Sequence, residues 1–208
     1  MVRERFKTLA LAAGLLLLPG TYLDAAAPTG DPPRVQKSLR GQFLIAAPTM
    51  GDPRFEHTVI LMIRHDTQGA LGIVINRLAG RQTLTELLAG VGEKFDAPQS
   101  VPVYWGGPVQ LDRGFIVHSA EYRRPETKAV DGRVAMTASK DALVDIAQGK
   151  GPKKFLIAFG YAGWAPGQLE NEMARNDWFV APEDPRLVFD EDRDKLWGAA
   201  MARRTREL

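Results

Sequence analysis

Apolar residues in this chain fall into short runs broken by glycine, proline and acidic residues, and the period within each run assigns it to a strand or a helix. Residues 41–47 are apolar, partly aromatic or β-branched, and stop at Pro48, which predicts a buried strand. Residues 58–65 and 70–76 repeat that pattern on either side of Asp66-Thr67-Gln68-Gly69, which predicts a hairpin. At Thr83 the period changes to that of a helix. Thr83 and Glu86 have capping-box spacing, Leu84, Leu87, Leu88 and Val91 make one apolar stripe, and Gly90 and Gly92 end it.

Residues 101–105, 114–118 and 133–136 read as further strands, the first two separated by Gly106-Gly107-Pro108. Ser139 caps a second helix with Leu143, Ile146 and Ala147 on one face and Gly149 at its exit. The apolar run 155–161 predicts a strand. Residues 162–167 (Ala-Gly-Trp-Ala-Pro-Gly) then read as a turn into a helix, with Pro166 in its first turn and Leu169 and Met173 on its inner face. Short strands are expected at 178–180 and 187–189. A last helix opens on Asp190, Glu191 and Asp192 and closes on Arg203, Arg204 and Arg206, as the helix dipole favours. Strands in groups with irregularly interspersed helices predict a single α+β domain with a mixed sheet, not a doubly wound α/β fold.

The pattern before Ser38 is of another kind. Residues 1–27 carry a basic start (Arg3, Arg5, Lys7), an apolar run from Leu9 to Leu18, then Pro19, Gly20 and the small residues 25–27. This is the order of a signal peptide, and it predicts an exported, periplasmic protein with only transient membrane contact through residues 1–27. A cytosolic amphipathic tail, or a start codon assigned too early, is the alternative. Residues 28–37 read as a proline- and charge-rich linker, and residues 38–208 as the domain.

Composition narrows the function classes. The 208 residues are 45% hydrophobic and 25% charged, which is ordinary globular usage. Net charge is +2, and residues 1–27 contribute one unit of it, so the domain is nearly neutral. It lacks the broad positive field of a non-specific nucleic-acid binder. The absence of cysteine excludes disulfides, thiolate catalysis and cysteine-ligated zinc.

Motifs for chemistry are missing. The chain has no dinucleotide or phosphate-loop spacing and no Gly-x-Ser-x-Gly elbow, and its three histidines, His57, His65 and His118, have no metal-binding spacing. No metal and no cofactor are expected. His65 and His118 fall at strand ends, where a hydrogen-bonded structural role is the default. Glu170 and Glu172 lie about 200° apart on a helix at ~100° per residue, so they cannot act as a catalytic pair. Gln168 and Glu172 can share a face, and Glu172 is expected to pair with Arg175 in water. Gly92 and Asp96-Ala97-Pro98 after the first helix leave no room for a recognition helix, and the basic clusters Arg123-Arg124, Lys153-Lys154 and residues 203–206 read as solvated faces.

Four stretches in one order are more specific than any single motif: Gly41-Gln42-Phe43-Leu44-Ile45-Ala46 before Pro48; residues 69–76 (Gly-Ala-Leu-Gly-Ile-Val-Ile-Asn); Tyr104-Trp105-Gly106-Gly107-Pro108-Val109; and Gly160-Tyr161-Ala162-Gly163-Trp164 followed by Gly167-Gln168-Leu169-Glu170 and Glu172. In this order they resemble the YqgE/AlgH family of bacterial proteins, over residues 38–197. The resemblance implies a bifurcated, partly barrel-like sheet surrounded by helices. The family is commonly labelled a transcriptional regulator without established enzymatic activity, and its members are generally cytosolic. No catalytic residues carry over. The expected function is a non-enzymatic regulatory or binding module acting on a protein or small ligand. Candidate contacts are His65, Asn76, Gly106, Gly107, Trp164, Gln168 and Glu172. The alternatives are a nucleic-acid-binding regulator, and a hydrolase using His65 with a carboxylate in an open cleft.

Overall fold

The computed structural model describes residues 38–190 and 192–205; the expected signal-like segment and linker, residues 1–37, lie outside the described residues, as do Glu191 and Arg206. Continuous apolar runs form strands buried on both faces. In β1 (Gln42–Ala46), Phe43 and Ile45 enter one core cluster and Leu44 and Ala46 another. The next strand, β2 (Val59–Asp66), divides in the same way: Val59, Leu61 and Ile63 go one way, Ile60 and Met62 the other. Over residues 43–46 and 59–63 a period of two with no polar positions means a strand sandwiched between two layers. The hairpin to β3 (Gly69–Val74) pairs antiparallel as expected, with Asp66 opposite Gly69.

The first structural correction follows at once. Residues 78–83, without an apolar face, form β4 (Leu78–Thr83), held by antiparallel pairing with β5 (Ser100–Trp105). Thr83 ends β4 and caps α1 (Leu84–Gly90) through the reciprocal capping box with Glu86. Leu84, Leu87 and Leu88 are buried, whereas Val91 lies past the helix and is exposed. β6 (Val109–Ser119) is longer than its apolar half, and β7 (Lys128–Ala129) pairs with β8 (Val134–Thr137). Ser139 caps α2 (Lys140–Ala147), whose Ala142, Leu143 and Ile146 meet α1 in a third cluster.

The strand β9 (Phe155–Trp164) is the hub. Its first half pairs with β5 in parallel and with β6 antiparallel; its last three residues pair with β3. The expected turn at 162–167 is therefore shorter, because Ala162, Gly163 and Trp164 continue the strand. The sheet order is β10-β1-β2-β3-β9-β6-β8-β7, with β5 and β4 branching from β9. This bifurcated, curled half-barrel, with five helices among the described residues, is the α+β arrangement expected from the resemblance.

Pro166 stands outside the helix it was expected to start: α3 is Gln168–Ala174, preceded by Gly167. β10 (Trp178–Pro182) pairs with β1. The expected strand at 187–189 is instead the short helix α4 (Pro185–Phe189), with Asp184 as cap and Pro185 in its first turn. Asp192 caps α5 (Arg193–Ala202), which buries Leu196, Ala200 and Met201 against the Phe43 and Leu61 layer.

Candidate functional site

Seven residues were singled out by sequence, and the fold separates those held by backbone, those enclosed in the interior and those that line a cleft. Gly106 and Gly107 lie where β9 bifurcates. A Cβ on Gly106 would stand 2.3 Å from the Gly160 carbonyl oxygen, and one on Gly107 2.1 Å from the Tyr161 carbonyl carbon. Gly107 also holds φ +148, so both glycines are required for close backbone approach. Asn76 is likewise occupied by backbone. Its Oδ1 accepts from the Val59 amide at 2.8 Å and its Nδ2 donates to the His57 carbonyl at 2.9 Å, tying the loop before β2 to the end of β3.

His65, on β2, has a side chain 5% exposed. The Leu39 amide donates to Nδ1 at 3.0 Å, which leaves Nε2–H to donate to Glu170 Oε1 at 2.8 Å. Burial raises the Glu170 carboxyl, but this hydrogen bond, one from the Glu170 backbone amide and the charge interaction with His65 together outweigh it and hold the group below the usual carboxylate range. The carboxylate that a His65 hydrolase needs is present, but both ring nitrogens are engaged and the ring is shut away from solvent. His118 is similarly enclosed. Nδ1–H meets the Ser119 carbonyl at 3.0 Å, Thr137 meets Nε2 at 2.8 Å, and burial pulls its pKa down.

Trp164, Gln168 and Glu172 form the third group, and here side chains converge on a cleft. Trp164 comes from the end of β9 and Trp178 from the start of β10, and both donate their indole N–H to Glu172 Oε2 at 2.8 Å. Gln168, one turn before Glu172 on α3, donates to Oε1 at 2.9 Å and accepts from the Ala165 amide at 3.1 Å. The expected Glu172–Arg175 pair does not form, because the indoles claim the carboxylate and Arg175 pairs with Asp177 at 2.8 Å. Glu170 turns away to His65, so the two glutamates serve different partners as the helical angle requires.

The cleft beside this carboxylate has a volume of about 340 Å³. Trp164 and Trp178 are nearly perpendicular with ring centres 5.9 Å apart, and Phe55 meets Trp178 and Trp105 at 5.6 and 5.9 Å. Acidic lining from Asp52, Glu172 and Asp177 outnumbers Arg54 and Arg175. The protein's own guanidinium groups already use these aromatic faces, Arg77 over Trp105 at 5.4 Å and Arg54 over Phe55 at 5.9 Å. Sequence reasoning missed Trp178, Phe55 and Asp52 as members; the two indole donors come from strands joined only through the fold.

Basic clusters that could have contacted phosphate are largely neutralised. Arg124 pairs with Asp145, Lys154 with Asp190 and Arg203 with Asp184.

Three comparisons bear on this arrangement. A family model described as AlgH-like matches residues 43–208. A UPF0301 protein of Methylococcus capsulatus is 41% identical over 169 residues, covering 81% of this chain and 93% of its own. One from a Jannaschia species is 46% identical over 176 residues, covering 81% and 90%. The solution structure of the AlgH protein from Pseudomonas aeruginosa superposes with a TM-score of 0.71 at 41% identity, covering 87% of this chain and 92% of that one.

Proposed function

The chain belongs to the AlgH-like family, and from that premise we propose that it is a non-enzymatic binding module that takes a lysine or arginine side chain of a protein partner into the Trp164–Glu172 cleft. One observation carries the reading: a half-buried carboxylate is fixed by two indole N–H groups and an amide, and it lines an aromatic cleft with an acidic bias. Three donors leave a carboxylate with acceptor capacity to spare, because its two oxygens offer about four lone-pair sites. A cationic side chain entering the cleft finds that charge at one end and aromatic faces along its stem. At about 340 Å³ the cleft stands at the low end of ligand pockets, which run upward from roughly 300 Å³, and has room for one long side chain.

The test is a peptide array in which one position carries Lys, Arg, Gln or Glu, screened with the full chain and with Glu172→Gln. Glutamine can still accept from the indoles through its oxygen but carries no charge. The reading expects Lys or Arg peptides to be retained by the parent chain and weakened at least about tenfold by E172Q, some 1.4 kcal/mol. Retention of the same peptides by both proteins would leave Glu172 as a purely structural acceptor for two tryptophans.

A further inference from the structure

Independently of the Glu172 cleft, we propose that the mouth of the half-barrel is a second binding site, for a small carboxylate carried on an apolar body. Strands β2, β3, β9, β6 and β8 are successive neighbours, and each sends one apolar side chain to the same hollow: Ile63, Leu71, Tyr161, Phe115 and Met136. The cavity they floor measures about 790 Å³, more than twice the Glu172 cleft and inside the range of small-molecule sites. Leu71 and Tyr161 are only partly covered, so apolar surface reaches the cavity without being sealed by the protein itself. Arg40 donates to the Ala129 carbonyl and thereby joins the start of the domain to β7, the far end of the curl. The hollow is therefore a barrel mouth, the place where barrels hold ligands, and not a flat sheet face.

Charge selects the ligand. The rim carries Arg40, Arg64, Arg113 and Lys128 against Asp66 and Glu126, a surplus of two positive charges in a domain that is almost neutral. Arg64 pairs with Asp66, and Arg113 lies over the Phe115 ring at 5.3 Å. Among the described residues, Lys128 has no ion-pair partner, and the Tyr161 hydroxyl has no hydrogen-bond partner. An ammonium and a phenol, both donors, thus remain available beside an apolar floor. A carboxylate can take the Lys128 ammonium at the rim or the Tyr161 hydroxyl deeper in, and its hydrocarbon body covers the apolar floor.

Sodium octanoate is the probe, titrated into the full chain and followed by amide NMR, with octylammonium chloride as the charge-reversed control. The proposal expects octanoate to shift resonances of β2, β3, β6, β8 and β9 around the mouth, octylammonium to leave them unmoved, and Lys128→Glu to weaken octanoate about fivefold or more. Lys128 is exposed, so the variant folds, and Tyr161→Phe gives a second, milder loss without a change of charge. Equal binding of octanoate and octylammonium would overturn the proposal, as would unchanged affinity in both variants. Shifts confined to the other apolar hollow, around Leu87 and Leu143, would equally overturn it.

Discussion

Glu172 and Glu183 are both drawn out of bulk water, and their partners give them opposite characters. Glu172 is surrounded by donors, two indoles and an amide. Glu183 is buried to 4% exposure, and only one of its carboxyl oxygens meets a donor, Arg133 at 2.8 Å; no donor reaches Oε1. Burial first, and then the hydrogen bond and charge of Asp131, push its pKa up to about 8. Asp131 moves the other way, since its hydrogen bonds from Glu183, Arg133 and Val134 outweigh burial. A proton on Glu183 Oε1 pointing at Asp131 reconciles the unmet oxygen with both shifts. Because the folded state holds that proton more tightly than the unfolded one, Glu183 contributes stability in full below the ordinary glutamate value. That contribution is lost as pH rises through about 8. Glu183→Gln, which cannot ionise, is expected to gain on the parent in melting temperature as pH is raised from about 5 to about 9. Melting curves that stay parallel over that interval would remove the shared proton.

At the scale of elements, Thr83 and the paired glycines mark two different kinds of specification. Thr83→Ala removes the acceptor for the Glu86 amide and half of the capping box, and is expected to cost about 1 kcal/mol by urea unfolding without changing the fold. Gly107→Ala drives a methyl into the backbone of β9 at the bifurcation, and is expected to abolish soluble folded protein rather than trim its stability. The cap was legible in the sequence because all its parts lie within four residues. The glycines were legible only as a motif, since the strand they approach begins some fifty residues later. The same division explains the misread elements. β4 has no apolar face and exists because β5 pairs with it; Leu187-Val188-Phe189 is too short for period to separate helix from strand, although Asp184-Pro185 was a start signal. In the cleft, Gln168 and Glu172 were legible as an i, i+4 pair. The indole of Trp178 and the His65–Glu170 bond, spanning 105 residues, depend on how β2, β9 and β10 are brought together.

For the whole molecule, the curl of one branched sheet does the placing. Separate apolar clusters pack against it, and the β10 edge is covered where Thr205 donates to the Val180 carbonyl. The two sites proposed are the acidic aromatic cleft beside α3 and the cationic barrel mouth. The histidines lie inside this frame with their ring nitrogens occupied or, for His57, on the surface against Trp197. Binding is the role proposed for both sites. The most direct measurement is the pair of Trp164 and Trp178 indole N–H resonances, recorded while the blocked peptide acetyl-Gly-Lys-Gly-amide is added to the full chain. A cation drawing on Glu172 must alter the two hydrogen bonds that hold it, so both resonances are expected to move together and saturate, and neither to move with acetyl-Gly-Glu-Gly-amide. Indole resonances that stay fixed while the peptide binds elsewhere, or that respond equally to both peptides, would contradict the account.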